Sequence, residues 1–159
     1  MIREISFYDF QFEDSTAIAA PPEAGFAFFE DMAANYTLWH PDHIKFEWRR
    51  GGGLVVGTEF YFEERIAGKL QRKTVRITEV RPGRYFAFTM VNPLFRCFLP
   101  HLSFEFAPDT GGMVFTAILR LHGIGPLGRR LNAREFDAVA IHMAEEGANL
   151  KRLLETAGR

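Results

Sequence analysis

The stretch Phe136–Leu154, FDAVAIHMAEEGANLKRLL, predicts the element around which the rest of the chain folds. Its apolar residues recur at spacings of three and four, which places them on one face of an amphipathic helix. The same pattern extends the predicted helix from Gly125-Pro126 to about Thr156. Gly147 lies on the apolar face although glycine costs about 1 kcal/mol against alanine inside a helix. We therefore expect a strand or a ligand to pack closely against Gly147.

Upstream of this helix, apolar and polar residues alternate in a run of about six predicted strands. In one of them a single face carries Phe60, Phe62 and Glu64, because successive side chains of a strand point to opposite sides. Short turns such as Pro82-Gly83 separate the strands. Strands joined in this way pair antiparallel with their neighbours in sequence.

The N-terminal part of the chain predicts a strand over residues 3–20 and two short helices over 24–33 and 35–38. Pro21-Pro22 stops the strand and opens the first helix, where proline is tolerated. A curved sheet leaves one face to be covered, and only the C-terminal helix is long enough to cover it. The order predicts an α+β fold, a curved antiparallel sheet wrapped around the long C-terminal helix, in a single domain over residues 1–159.

This order of elements, together with particular local sequences, resembles the START-like or SRPBCC superfamily, including its polyketide cyclase/dehydrase branch. The resemblance covers about residues 15–157 and rests on five segments: Ile18–Glu23, Tyr36–Pro41, Gly57–Phe60, Ile77–Gly83 and Glu146–Lys151. It implies a helix-grip fold with a deep apolar cavity between the sheet and the long helix. The superfamily includes lipid and hormone binders, cyclases, hydrolases and co-chaperones, so the resemblance implies no shared catalytic residues.

Phenylalanine is unusually abundant, since it occupies 17 of the 159 positions. Phe has no polar group, so this many rings must line a core, a cavity or an interface. Strand and helix periodicity turns one set of side chains inward, and we expect that set to bind a ligand: Phe60, Phe62, Glu64, Phe86, Phe88, Phe104, Phe106, Phe136, Met143 and Leu150. The alternative is a solid core without a ligand.

Glu64 is the polar member of this set. A carboxylate turned toward an apolar cavity has a raised pKa and can act as an acid or a base. The alternative is that this end of the strand is open to water. Glu64, Tyr61 and His40 are the candidate catalytic residues.

Two groups of histidines and carboxylates have the composition of metal ligands. His40-Pro41-Asp42-His43 combines two imidazoles with a carboxylate, but no further ligand follows at a diagnostic spacing. His142 and Glu146 are four residues apart on the long helix and flank its inward face, so we expect an ion pair or a hydrogen bond at the surface. We therefore expect an exposed His40–His43 loop, no metal and no cofactor.

The charge balance narrows the range of partners, since Lys and Arg number 19 against 20 for Asp and Glu. A net charge of −1 argues against nucleic-acid binding and against electrostatic attachment to a membrane. No segment approaches the ~20 apolar residues of a membrane-spanning helix, and the N-terminus does not resemble a signal peptide. We expect a cytoplasmic protein in which the lone Cys97 packs in an apolar strand.

Three functions fit these observations. The first is binding of a small hydrophobic molecule, of the lipid, polyketide or isoprenoid type, in an internal cavity. The second is an enzyme, a polyketide cyclase, dehydratase or hydrolase that uses Glu, Tyr or His side chains of the cavity. The third is an interaction module whose Phe-rich segment 91–99 acts as a lid or as a contact in a homodimer.

Overall fold

The computed structural model describes residues 1–157, and the last two positions of the predicted domain lie outside the described part. The described chain forms one curved antiparallel sheet of eight strands. The strands are β1 (Ile2–Glu4), β2 (Phe10–Ile18), β3 (His43–Arg50), β4 (Glu59–Ile66), β5 (Lys69–Arg81), β6 (Tyr85–Met90), β7 (His101–Asp109) and β8 (Gly112–Leu121). Their order across the sheet is β1-β2-β8-β7-β6-β5-β4-β3, so the chain returns from β8 to pair with β2.

Five helices accompany the sheet within the described residues: α1 (Pro22–Glu30), α2 (Met32–Trp39), α3 (Pro93–Phe98), α4 (Gly125–Leu131) and α5 (Ala133–Ala157). The first two connect β2, near one edge of the sheet, to β3 at the opposite edge. The long helix α5 packs on the sheet through β2, β4 and β8. The predicted α+β helix-grip fold is therefore confirmed.

Gly147 shows how tightly α5 lies against the sheet. A Cβ atom at this position would meet Oγ1 of Thr16 and would lie 2.8 Å from Oδ2 of Asp14. Both residues belong to β2, which has the most extensive contact with α5. The close packing predicted from Gly147 is confirmed, and its partner is a strand.

The C-terminal helix is interrupted, contrary to the prediction of one helix from Gly125-Pro126. Asn132 separates α4 from α5, and its side-chain Nδ2 donates a 2.8 Å hydrogen bond to the carbonyl oxygen of Gly128. An Asn side chain that bonds to the backbone competes with helix geometry. The predicted helix is therefore divided at Asn132 into α4 and α5.

The Phe-rich segment 91–99 contains the short helix α3 (Pro93–Phe98). Asn92 caps it, since its Oδ1 accepts the backbone N–H groups of Leu94 and Phe95, and Pro93 occupies the first turn. Cys97 lies on this helix and is exposed. The prediction that Cys97 packs in an apolar strand is wrong, because its segment leaves the sheet.

Candidate functional site

A cavity of about 280 Å³ lies between the sheet and α5. Most of its lining is apolar, and much of it is aromatic: Phe29, Trp39, Phe46, Trp48, Phe60, Phe62, Phe86, Phe88 and Phe104. Its charged and amide-bearing lining residues are Glu64, Gln71, Lys73, His142 and Glu146. An apolar pocket with a few placed polar groups is the usual form of a small-molecule site.

Most of the residues expected to bind a ligand lie on this lining. They are Phe60, Phe62, Glu64, Phe86, Phe88, Phe104 and Met143. Phe106, Phe136 and Leu150 are not among the lining residues, and each is at most 5% exposed in the packed core. Strand and helix periodicity gave the correct inward face for these three residues, but it does not give their depth within the core.

Tyr61 lies on the outer face of β4. Its hydroxyl donates a 2.5 Å hydrogen bond to Glu63, and the guanidinium of Arg49 covers its ring. A phenol held there cannot reach the cavity, so the expectation that Tyr61 assists chemistry inside it is wrong. Alternation along β4 already places Tyr61 on the face opposite Phe60 and Phe62, which line the cavity.

Glu64 points inward and is 8% exposed. Its Oε1 pairs with the ammonium of Lys73 on the neighbouring strand β5, and its Oε2 lies 3.7 Å from Nε2 of His142. A buried carboxylate requires partners of this kind, because an unpaired charge is costly away from water. The strand end at Glu64 is therefore closed to bulk water by side chains of β5 and α5.

Both histidines of the His40–His43 segment are buried, at 2% and 4% exposure, although Pro41 between them is exposed. The expectation of an exposed loop is therefore wrong for the two histidines. Ile44 is an extra residue in the pairing of β3 with β4, because His43 faces Glu64 whereas Lys45 faces Glu63. This bulge turns the side chain of His43 inward. Strict alternation would instead place it on the other face of the sheet from Phe46. Simple parity could not find His43 for that reason.

His142 and Glu146 are also buried, where an ion pair or a hydrogen bond at the surface was expected. Oε1 of Glu146 lies 3.0 Å from Nε2 of His43 and 3.6 Å from Nε2 of His142. On its other side, His43 donates through Nδ1 to the carbonyl oxygen of Tyr36 at 3.0 Å. Glu146 thus joins the C-terminal helix to the start of β3, two parts of the chain that no local spacing connects.

His40 lies beside His43 and His142 but does not line the cavity. Its ring centroid lies 4.2 Å from that of His142. Its Nδ1 accepts the backbone N–H of Asp42 at 3.0 Å, and its Nε2 lies 3.1 Å from Glu145. Both ring nitrogens are therefore engaged in contacts that hold the turn before β3.

The pKa values of Glu146, His142 and Tyr36 follow from their burial and from the charges beside them. Burial raises the pKa of Glu146, but interactions with His142 and His43 outweigh it and lower that pKa to about 2. Burial lowers the pKa of His142, but the carboxylates of Glu146 and Glu64 outweigh it and raise the pKa. Burial also raises the pKa of Tyr36, with Glu64 and Glu146 adding to the shift. The Tyr36 phenol therefore stays protonated.

Two buried polar atoms have no hydrogen-bond partner among the described residues: Oη of Tyr36 and Nε2 of His142. Both residues line the cavity. Buried polar side chains nearly always have a partner, so each exception requires an explanation. Both exceptions belong to side chains at the cavity, where the apolar and the polar parts of the lining meet.

The segment 91–99 lies partly at the cavity and partly at the surface. Leu99 lines the cavity, whereas Leu94, Phe95 and Phe98 are exposed on α3. The expected lid or dimer contact at this segment stays a prediction. Within residues 1–157, no helix is both long and apolar enough to cross a membrane.

The fold and its internal cavity define a helix-grip protein. Residues 9–155 match the family described as polyketide cyclase/dehydrase and lipid transport. The chain belongs to this family, which confirms the resemblance drawn from the sequence. A search of curated protein sequences found no relative that matches the chain.

Solved structures of the same fold share little sequence with this chain. The di-domain ARO/CYC BexL from the BE-7585A biosynthetic pathway superimposes with a TM-score of 0.74 at 15% identity. That match covers 95% of this chain and 52% of BexL, so the chain spans about half of the larger protein. The protein TTHA0849 from Thermus thermophilus gives a TM-score of 0.74 at 15% identity, over 94% of this chain and 99% of that protein.

Proposed function

We propose that the protein binds one small, largely apolar molecule, of the lipid, polyketide or isoprenoid type, between its sheet and α5. The observation that carries the proposal is a cavity of about 280 Å³ whose lining is mainly aromatic. A solid core would leave no such space, since protein interiors are normally close-packed. The family description, polyketide cyclase/dehydrase and lipid transport, agrees with this class of ligand.

The polar lining sets a further requirement on the ligand. Oη of Tyr36 is buried without a partner among the described residues, and the Lys73–Glu64 pair lies on the same lining. A hydroxyl or carbonyl group on the ligand would satisfy the phenol of Tyr36 and offset its desolvation. The ligand is therefore an apolar skeleton with at least one oxygen function.

A pair of substitutions on α5 tests the proposal. Val139 lines the cavity, whereas Ile141 is 58% exposed on the same helix. Val139→Trp fills the cavity, and Ile141→Trp adds the same ring outside it. Native mass spectrometry of protein purified from its own host should show a bound apolar molecule in the wild type and in Ile141→Trp, but not in Val139→Trp. Equal ligand in both variants, or none in the wild type, would contradict the proposal.

A second candidate function is acid–base chemistry on the bound molecule, as the word cyclase in the family description suggests. The observation that favours it is the placement of Glu64 beside His142 on the cavity lining, both buried. Ring closure or loss of water requires a proton to leave one atom and reach another, which paired titratable groups can perform.

The chain offers a matched control for this candidate. Glu63 is adjacent to Glu64 but lies on the outer face, bonded to Tyr61. Turnover of a polyketide-like substrate should fall by at least 100-fold in Glu64→Gln and stay unchanged in Glu63→Gln, as expected for loss of an acid–base group. Unchanged turnover in Glu64→Gln would remove the enzyme candidate with this residue and leave the binding proposal intact.

A further inference from the structure

Four side chains from three separate elements converge at the polar end of the cavity: His43 on β3, Glu64 on β4, and His142 and Glu146 on α5. One nitrogen or oxygen atom of each lies within 4.8 Å of the others. Two imidazoles and two carboxylates form a ligand set that first-row divalent metals, zinc among them, accept.

The spacing of these atoms agrees with tetrahedral coordination. Four ligands held at about 2.0–2.1 Å from Zn²⁺ lie roughly 3.3 Å from one another. The measured separations are 3.0 Å from His43 Nε2 to Glu146, 3.6 Å from His142 Nε2 to Glu146, and 3.7 Å from His142 Nε2 to Glu64. Each of these three pairs requires a shift of a few tenths of an ångström to bind one ion, and the other three pairs lie within 4.8 Å.

The surroundings orient the ligand atoms toward a common point. Nδ1 of His43 bonds to the carbonyl oxygen of Tyr36, which directs its Nε2 into the group. Oε1 of Glu64 pairs with Lys73, which leaves Oε2 on the side of His142. Hydrogen bonds of this kind on the far side of each ligand are usual at metal sites and fix the orientation of the side chains.

His142 supplies an independent observation that the group takes a ligand. Its Nε2 is buried and has no hydrogen-bond partner among residues 1–157. Its ring lies at the cavity lining with both carboxylates just beyond hydrogen-bond range. A metal ion between these atoms would give the nitrogen the partner that it lacks.

We propose that His43, Glu64, His142 and Glu146 form a binding site for one divalent transition-metal ion, of which Zn²⁺ fits the ligands best. His40 is excluded from the set because Asp42 and Glu145 occupy its two nitrogens. The proposal replaces the sequence expectation of no metal. The competing explanation is that protonated histidines, together with Lys73, balance the two buried carboxylates.

Calorimetric titration of chelator-treated protein with Zn²⁺ tests the site. The wild type should bind one ion per chain. His142→Asn and Glu64→Gln should each weaken that binding by about 100-fold or more, since even the outer partners of metal ligands contribute 10–100-fold. His122→Ala is the control, because His122 is exposed and pairs with Asp9 outside the group. Far-UV circular dichroism checks that His142→Asn stays folded, because Nε2 has no hydrogen bond to lose but lies 3.6–3.7 Å from two buried carboxylates.

Co²⁺ provides a readout that needs no variant. The wild type loaded with Co²⁺ should show the intense visible absorption of a tetrahedral site. A weak six-coordinate spectrum, no one-to-one Zn²⁺ binding, or an equal loss in His122→Ala and His142→Asn would each overturn the proposal in favour of protonated histidines. The titration uses no organic ligand, so its failure would leave the cavity proposal standing.

Discussion

Nε2 of His142 lies 3.7 Å from Oε2 of Glu64, and this approach joins the C-terminal helix to strand β4 across the polar end of the cavity. Within α5 itself, His142 also faces Glu146, one turn further along the helix. The position of α5 on the sheet therefore decides which chemical groups meet at the cavity. Substitutions that shift α5 will change the packing and also the polar group formed by His43, Glu64, His142 and Glu146.

Lys73→Met should destabilise the fold because it leaves the Glu64 carboxylate without its cation. The side chains of Lys73 and Glu64 are only 18% and 11% exposed. Removing one partner of a buried ion pair costs about 3 kcal/mol or more, whereas replacing both is far less costly. Urea unfolding should show most of that loss recovered in Lys73→Met/Glu64→Gln. A purely additive double variant would mean that the two groups do not interact.

Phe29→Ala should lower the free energy of unfolding by about 3–5 kcal/mol, the usual cost of deleting a buried ring. Phe29 is 2% exposed and packs against rings from both helix and sheet. Its centroid lies 4.9 Å from those of Trp39 and Phe104 and 5.5 Å from that of Phe86.

Phe7→Ala is the matched control for Phe29→Ala, since Phe7 is 63% exposed. Denaturant unfolding should place Phe7→Ala within about 0.5 kcal/mol of the wild type, as for most surface substitutions. Similar losses for the two variants would show that the ring cluster around Phe29 does not dominate the core.

Gly147→Ala should destabilise the protein although alanine is the better helix former. The added Cβ would collide with Thr16 and lie 2.8 Å from Oδ2 of Asp14. Overpacking costs about 1–3 kcal/mol and helix propensity returns about 1 kcal/mol, so we expect a net loss of up to about 2 kcal/mol. Thermal unfolding would reveal it, with Gly52→Ala as control because nothing lies within 4 Å of a Cβ there. A Gly147→Ala protein as stable as wild type would show that α5 can move away from β2.

Periodicity predicted the architecture because it records which face of an element is buried. Alternation turned Phe60, Phe62 and Glu64 inward, and the structure has them on one face of β4. The spacing of three and four likewise found the face of α5 that carries Met143. These signals depend only on local spacing, so they can be recognised in the sequence without knowledge of the tertiary structure.

Three members of the polar group, His43, His142 and Glu146, escaped prediction because their positions depend on long-range packing and on one bulge. His43 reaches the inner face only through the extra residue Ile44, which no alternation pattern reveals. His142 and Glu146 looked peripheral on a helical wheel, but β3 and α2 cover that flank of α5. The break at Asn132 was missed for a similar reason, since it depends on a side-chain bond to Gly128.

The chain has two tryptophans, Trp39 and Trp48, and both line the cavity. Indole emission from the whole protein therefore originates at the site itself, and no other tryptophan contributes a background. Nε1 of Trp39 donates a 2.9 Å hydrogen bond to the carbonyl oxygen of Glu146, whereas Trp48 packs against Phe46 and Phe60. Single-tryptophan proteins would separate fluorescence changes at the polar end from those at the aromatic wall, without any added label.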